Sequence, residues 1–303
     1  MTPYPLRYAL ALIAAGICLG AEPAMNLWPA AAPGEKGDIG PEKDMTKPTD
    51  PFVAGRVLLH LGNVSVPTMT FYPAPADKNT GTTIVVCPGG GYYILAYDLE
   101  GSEICDWLNS IGVNAVLLKY RVPRREGRPD YEAPLQDVQR TFVTVRAHAK
   151  DWHLDPDRIG VLGFSAGGNL SAVASASRAL SYPRIDAMDD LSFHPNFQVL
   201  IYPAYLMKDN FEHGSLEVAP EVTIDGQTPP TFMVMAEDDP VHVENVLGYA
   251  IALKKQGTPM ELHVYPTGGH GYGARLTKDF VTTWPARAAD WLQGRGLLQA
   301  KRP

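Results

Sequence analysis

Cysteine is scarce in this sequence, with three residues in 303. One of them, Cys18, lies in an apolar N-terminal run, which leaves Cys87 and Cys105 for the rest of the chain. A chain of this length with 45% apolar residues can bury a sizeable core without cross-links. The composition therefore predicts a globular protein that folds on its core, and a disulfide framework is not expected.

Positive charge is also in short supply. Lysine and arginine number 26 against 33 aspartate and glutamate residues, which gives a formal net charge of -7. No basic stripe that could follow a phosphate backbone is present, so nucleic acid is not an expected partner. No cluster of His, Cys and carboxylate residues has metal-ligand spacing, so neither a metal nor an organic cofactor is expected.

Long apolar runs are missing except at the N-terminus, where Arg7 precedes an uncharged run over residues 8–21. This run is too short to span a bilayer comfortably and suits the core of a secretory signal peptide. We predict a signal peptide over residues 1–21, export to the periplasm or medium, and no stable membrane association after cleavage. An uncleaved anchor or a buried helix is the alternative. Ile17 stands where a lipoprotein signal would want a small residue, so no lipid anchor is predicted.

The next segment, residues 22–52, is dense in proline, glycine and charge and shows no helical or strand period. We expect an extended arm that lies over the domain. No composition shift after Phe52 marks a second domain, so residues 53–298 are expected to form a single domain.

Beyond the arm, short β-rich runs alternate with helical patterns. The predicted strands are 66–72, 82–87, 114–120, 158–162, 197–202, 231–235 and 260–265. The predicted helices are 101–111, 133–152, 166–179, 243–256 and 284–293. This alternation predicts an α/β fold with a mostly parallel central sheet and helices on both faces. In such sheets the reactive groups gather where strands end and helices begin.

Ser165 stands at one of these junctions, in "VLGFSAGGNL". A Gly-x-Ser-x-Gly match alone can be an ordinary turn, because glycine and serine both favour turns. Here a strand precedes it and a helix follows, which is the setting of a nucleophile elbow. Gly163 and Gly167 leave room for the close strand and helix, so Ser165 is predicted to be a nucleophile.

An acyl-transfer serine also needs backbone amides that hold the oxyanion. Three glycines follow an apolar strand in "IVVCPGGGYY", and backbone amides approach a ligand closely only where no side chain intervenes. We predict that Gly90 or Gly91 donates one amide and Ala166 the other. A phosphate-binding loop is the rival interpretation, but the required glycine spacing is absent and no Gly-Lys-Ser/Thr follows.

Of eight histidines, His270 is the predicted general base, because flanking glycines in "YPTGGHGYG" let its loop carry the imidazole over the sheet edge. His242 competes with it. The acid should lie between Ser and His in chain order, where Glu237, Asp238 and Asp239 follow a strand. We favour Asp239, since Pro240 biases it away from helix, and Asp238 is the alternative.

These residues, in the motifs "CPGGGYY", "LDPDRIGVLGFSAGGNL", "AEDDPV" and "GGHGYG", resemble the α/β-hydrolase superfamily over about residues 56–292. Within it, the chain resembles bacterial secreted esterases related to acetyl xylan esterases and feruloyl-esterase-like hydrolases. Pro88 before the glycines departs from the His-Gly-Gly-Gly loop of hormone-sensitive-lipase relatives.

The resemblance implies a serine esterase that removes short acyl groups, acetyl above all, from a small-molecule, oligosaccharide or polysaccharide ester such as acetylated xylan. A serine peptidase, a broad-specificity lipase or a feruloyl esterase of the same superfamily is the alternative, and a catalytically dead binding protein is disfavoured. Residues 205–230 lack a clear period and are expected to cap the site. Five aromatics are candidates to line a sugar-facing cleft or to pack in the core: Tyr92, Tyr93, Tyr97, Trp107 and Tyr205.

Overall fold

The computed structural model describes residues 20–300, so all but the last two residues of the predicted signal peptide lie outside the described residues. The described residues form two sheets. The larger is built from β1 (Met25–Asn26), β4 (Thr68–Tyr72), β5 (Thr83–Cys87), β7 (Asn114–Lys119), β8 (Ile159–Phe164), β9 (Gln198–Ile201), β10 (Thr231–Ala236) and β11 (Met260–Tyr265). The smaller contains β2 (Lys43–Asp44), β3 (His60–Gly62) and β6 (Leu95–Ala96).

The strands of the large sheet follow the order β1-β4-β7-β5-β8-β9-β10-β11. All pairs from β7 to β11 are parallel, whereas β4 is antiparallel to β7 and β1 is antiparallel to β4. The central strands β5, β8 and β10 are buried along their whole length. Their sequences are almost continuously apolar because these strands are covered on both faces, so apolar and polar residues do not alternate along them.

In the part of the chain that the structure describes, five α-helices cover the sheet: α1 (Glu103–Ser110), α2 (Glu132–Ala147), α3 (Ser165–Ala176), α4 (Glu244–Gln256) and α5 (Trp284–Gly294). α1 and α5 meet through an edge-to-face contact of Trp107 with Trp284, whose ring centroids are 5.1 Å apart. α2 packs instead on α3. Within residues 20–300, no helix is both long and apolar enough to cross a bilayer.

The predicted helix over residues 133–152 is too long, because α2 ends at Ala147. Apolar residues continue the helical pattern beyond that point, but they pack elsewhere in the structure and are not part of the helix. His148 caps the helix, and the following turn brings Trp152 flat against Phe71 of β4 with ring centroids 4.3 Å apart. His153 then adopts a positive φ of 55°, which no helix interior tolerates.

Within residues 22–52 the structure has no helix, and the absence of a strand pattern in the sequence was misleading at two places. Met25 and Asn26 form β1 against β4, and Lys43 and Asp44 form β2 against β3. Strands of two or three residues are too short to show a period in the sequence, and β3 and β6 were missed for the same reason.

The arm is fastened to the domain by a buried polar cluster. The Trp28 indole N–H donates to Asp137 Oδ1 at 2.9 Å, and Asp137 accepts from Arg121 Nε at 3.0 Å. Arg121 also donates to the carbonyl of Pro33 at 2.9 Å. The side chains of Arg121 and Asp137 are fully buried, so the arm completes the core around them.

Candidate active site

The carboxyl ends of the parallel strands lie at one edge of the sheet, and the predicted site residues follow four of these ends. The glycine-rich loop follows β5, and Ser165 follows β8. Asp239 comes after β10 and His270 after β11. Residues far apart in sequence therefore converge because their strands are neighbours in a parallel sheet.

Ser165 is held in a strained turn between β8 and α3. Its φ is +50°, a conformation that side chains rarely adopt. The turn is possible only because glycines flank it: a Cβ at Gly163 would lie 2.0 Å from the carbonyl oxygen of Gly167. A Cβ at Gly167 would lie 2.1 Å from the carbonyl oxygen of Cys87 on β5. Strain of this kind is concentrated at functional sites.

Ser165, His270 and Asp239 form one continuous chain of contacts. His270 Nε2 lies 2.9 Å from Ser165 Oγ. On the other side of the ring, Nδ1 lies 2.9 Å from Asp239 Oδ2 and 3.0 Å from Oδ1. The Asp239 side chain is fully buried, while that of His270 is one quarter exposed. This is the arrangement in which a carboxylate orients an imidazole so that its far nitrogen can take a hydroxyl proton.

The other acidic candidates have different partners. Asp238 is exposed and its Oδ1 accepts the N–H of Gly269 at 2.8 Å, in the loop that carries His270. Glu237 is exposed. His242, the competing base, packs edge-on against Phe211 with ring centroids 5.8 Å apart.

In the part of the chain that the structure describes, two glycines of the glycine-rich loop keep their N–H groups free of a hydrogen-bond partner. Gly89 N–H donates to Glu100 Oε2 at 2.7 Å and is therefore occupied. Among residues 20–300, the N–H groups of Gly90 and Gly91 donate to no partner. Both glycines have positive φ, 130° and 62°, and a Cβ at Gly90 would collide with the carbonyl of Ile94. Ala166 lies in the first turn of α3, where helix amides have no partner within the helix.

Three polar residues near these loops were not predicted from the sequence. Glu100 and Tyr202 are buried and hydrogen-bonded to each other at 2.8 Å. Asn169, one turn into α3, accepts the Tyr92 hydroxyl at 2.7 Å and donates to the carbonyl of Tyr205 at 3.0 Å. The sequence offered one indication of these residues: Asn169 is a polar residue four positions after Ser165, on a helix made mainly of small residues. Nothing local distinguishes Glu100 from a solvated carboxylate at a helix entry.

A pocket of about 650 Å³ opens beside this edge of the sheet. Its wall includes Tyr92 from the glycine-rich loop, Asn169 from α3, and Tyr205. The N–H of Ala204, next to Tyr205, donates to the carbonyl of Ser165 at 3.1 Å, which links this wall to the serine. Carboxylates of Asp130, Asp209, Glu212 and Glu221 also line the pocket and outnumber its one lysine, Lys208, so the charged part of the lining is acidic.

The aromatic candidates separate into two groups. Tyr92 and Tyr205 line the pocket, with near-parallel rings 6.5 Å apart. Tyr97 and Trp107 pack against the core, and Tyr93 is half exposed beneath Arg124. Residues from 205 to 221 supply much of the pocket wall, so part of the predicted capping segment borders this pocket. Within the described part of the chain, no group of three or more His, Cys, Asp and Glu residues could hold a metal ion.

Comparison with known proteins gives a family. Residues 84–225 match the sequence model of an α/β-hydrolase-fold family. An acetyl ester-xyloside bifunctional hydrolase from Caldicellulosiruptor lactoaceticus, known from its crystal structure, superposes with a TM-score of 0.69 at 32% identity. That superposition covers 91% of this chain and 97% of the other.

Two curated relatives are larger proteins. An acetylxylan esterase of Xylanibacter ruminicola is 34% identical over 65% of this chain and 42% of its own length. Endo-1,4-beta-xylanase B of Butyrivibrio fibrisolvens is 28% identical over 66% of this chain and 34% of its own. The matched region thus spans less than half the length of either relative.

Proposed function

This chain belongs to the α/β-hydrolase family, and we propose that it is a serine carboxylic-ester hydrolase that removes short acyl groups, acetyl above all, from carbohydrate esters such as acetylated xylan. The observation that carries the proposal is the contact of His270 with both Ser165 and Asp239, at 2.9 Å on each side of the ring. A serine and an imidazole in this relation form an activated nucleophile.

The proposed reaction begins when Ser165 Oγ attacks the ester carbonyl and His270 Nε2 takes the hydroxyl proton. Asp239 stays ionised, accepts a hydrogen bond from the Nδ1–H group and stabilises the imidazolium that forms. The free amides of Gly90 or Gly91 and of Ala166 hold the oxyanion of the tetrahedral intermediate. As the intermediate collapses, His270 returns its proton to the departing alcohol, and the acyl group stays on Ser165.

Water completes the cycle. His270 removes a proton from the water as it attacks the acyl-enzyme, a second tetrahedral intermediate forms in the same oxyanion site, and Ser165 leaves with the proton that His270 returns. The triad and the oxyanion amides supply every proton transfer and charge stabilisation that these two half-reactions require.

The pocket and the comparisons support a carbohydrate ester as the substrate. Carboxylates and the Asn210 amide offer hydrogen-bond partners for sugar hydroxyls, and Tyr205, which is 38% exposed, offers a ring face. The names of the two relatives and of the superposed enzyme, which refer to acetyl esters or xylan, agree with this choice.

A substrate panel tests the proposal against its superfamily alternatives. Acetylated xylan, p-nitrophenyl acetate, p-nitrophenyl octanoate, methyl ferulate and an aminoacyl anilide would be assayed with the wild-type protein and its Ser165→Ala variant. The proposal requires Ser165-dependent release of acetate from xylan. Preference for the anilide would indicate a peptidase, and preference for ferulate a feruloyl esterase.

Export is part of the same proposal, because an insoluble or polymeric substrate lies outside the cell. The intact mass of the protein recovered from the medium or periplasm of a bacterial host tests it. The expected mass corresponds to cleavage near Ala21, and a full-length chain retained with the membrane would contradict the signal-peptide prediction.

A further inference from the structure

Glu100 is a buried carboxyl group that the proposed mechanism does not use. It lies in a short π-helical turn, Asp98–Ser102, between β6 and α1, and it is only 4% exposed. Buried glutamates are usually paired with a cation, yet no lysine or arginine within residues 20–300 forms an ion pair with it. Single-turn π-helices are frequent at functional sites.

The contacts of Glu100 connect two loops of the candidate site. Its Oε2 accepts the N–H of Gly89, at the start of the glycine-rich loop, at 2.7 Å. Its Oε1 accepts the Tyr202 hydroxyl hydrogen at 2.8 Å. The Tyr202 oxygen in turn accepts the N–H of Gly273, three residues beyond His270, at 3.0 Å.

When Glu100 is ionised, each donor hydrogen in this network has one acceptor. Gly273 donates to Tyr202, Tyr202 donates to Oε1, and Gly89 donates to Oε2. A proton on Oε1 would oppose the hydroxyl hydrogen of Tyr202. Burial raises the pKa of Glu100, while the hydrogen bonds from Tyr202 and Gly89 act in the opposite direction.

Both ends of the network lie against reacting groups. A Cβ on Gly89 would be 2.7 Å from Glu100 Oε2 and 2.9 Å from Ser165 Cβ, so this glycine is wedged between the two side chains. The Tyr202 ring meets the His270 ring edge-to-face with centroids 4.9 Å apart. Displacing Glu100 would therefore move the oxyanion amides relative to Ser165 and loosen the packing of the base.

We propose that Glu100 is a positioning residue, whose carboxylate fixes the peptide of Gly89, and with it the oxyanion amides of Gly90 and Gly91, to the loop that carries His270. The inference rests on the proposed function for its catalytic meaning. The coupling of the two loops through Glu100 and Tyr202 is a property of the fold itself and can be measured separately.

The test uses Glu100→Gln, Tyr202→Phe and the double variant, with Tyr272→Phe as the matched control. The Tyr272 hydroxyl is buried without a hydrogen-bond partner among the described residues, and its ring also packs on Tyr202. In Glu100→Gln the amide oxygen can still accept from Gly89, but the amide N–H group then faces Tyr202, whose hydroxyl hydrogen loses its acceptor.

For p-nitrophenyl acetate, we expect kcat of Glu100→Gln and of Tyr202→Phe to fall about 10- to 100-fold, the scale of a misplaced catalytic group or a weakened oxyanion donor, with KM within about 2-fold. Active sites are counted by titration with paraoxon, so that unfolded protein does not contribute. The affinity for a boronic acid transition-state analogue should fall in parallel with kcat.

The kcat of the double variant should fall by less than the product of the two single-variant losses, because both changes break one network. Tyr272→Phe should stay within about 2-fold of wild type, as expected for a hydroxyl with no partner.

Hydrogen exchange supplies the readout that does not depend on turnover. Peptides containing Gly89–Gly91 and residues 268–273 should both exchange faster in Glu100→Gln and in Tyr202→Phe than in Tyr272→Phe. Unchanged exchange in both peptides, or kcat and analogue affinity within 2-fold of wild type, would overturn the inference. If Ser165→Ala keeps its turnover while the two loops still loosen together, the proposed function fails and the coupling stands.

Discussion

The clearest discrimination that the structure offers is between the adjacent carboxylates Asp238 and Asp239. Each is changed to asparagine, which keeps the shape and removes the charge. The contacts differ sharply: Asp239 is buried against Nδ1 of His270, whereas Asp238 is exposed and accepts one backbone N–H from Gly269.

The consequence at position 239 follows from its hydrogen bonds. Asp239 Oδ1 also accepts the N–H of Val241 at 2.8 Å, so in Asp239→Asn the amide oxygen stays on that side. The amide N–H group then occupies the place of Oδ2, 2.9 Å from Nδ1 of His270. This N–H group favours the tautomer in which Nδ1 accepts and the ring proton lies on Nε2, and in that tautomer His270 cannot accept the hydroxyl proton of Ser165. The amide oxygen, 3.0 Å from Nδ1, is a weaker competing acceptor than the carboxylate.

The expected loss for Asp239→Asn is about 10⁴-fold in kcat, the effect of this tautomer change in a serine protease, or about 5.4 kcal/mol in the activation barrier. Asp238→Asn keeps an oxygen that can accept from Gly269 and loses only an exposed charge. An exposed charge contributes at most about 1 kcal/mol, so kcat should remain within about 5-fold of wild type.

Steady-state hydrolysis of p-nitrophenyl acetate near neutral pH measures both effects, with thermal unfolding to show that the variants fold. Equal losses in the two variants, or a larger loss in Asp238→Asn, would refute the assignment of Asp239 as the residue that orients His270.

Three further predictions address the pocket, the substrate and the arm. Tyr205→Ala should raise KM for acetylated xylo-oligosaccharides about 10-fold, because the sugar ring loses contact with an aromatic face worth about 1.4 kcal/mol. KM for p-nitrophenyl acetate should change little. Equal effects on both substrates would contradict a contact between Tyr205 and the sugar. Turnover of acetyl esters should exceed that of octanoyl esters, and a preference for octanoate would point to a lipase. Asp137→Ala should lower the free energy of unfolding by about 3–5 kcal/mol in urea titrations, because it removes the buried carboxylate nearest to Arg121 and leaves Glu35, 3.6 Å away, as the remaining acidic partner among the described residues; a loss below about 1 kcal/mol would contradict the buried pair.

The residues of the candidate site were predictable because their signals are local. A glycine on either side of Ser165, a glycine-flanked His270 and an acidic run after β10 each report a constraint of the backbone at a strand end. The choice of Asp239 used the restriction that Pro240 imposes, and the contact with His270 agrees with that choice.

The connections between the loops were not predictable in this way. Glu100 meets Tyr202 across 102 positions of sequence, and Trp28 reaches Asp137 across 109. No local pattern encodes such pairs, because they depend on which strands become neighbours. The two-residue strands β1 and β2 were missed because they are specified by the strands they join and have no period of their own.

The central claim is that Ser165 becomes covalently acylated during turnover, and labelling with paraoxon tests it most directly. Intact mass spectrometry should show one diethylphosphoryl group per chain, peptide mapping should place it on Ser165, and esterase activity should disappear in proportion to labelling. The Ser165→Ala variant should take up no label and should lose about 10⁶-fold in kcat, as in other serine hydrolases. A label on another residue, or a Ser165→Ala variant that keeps a tenth of wild-type turnover, would contradict the account.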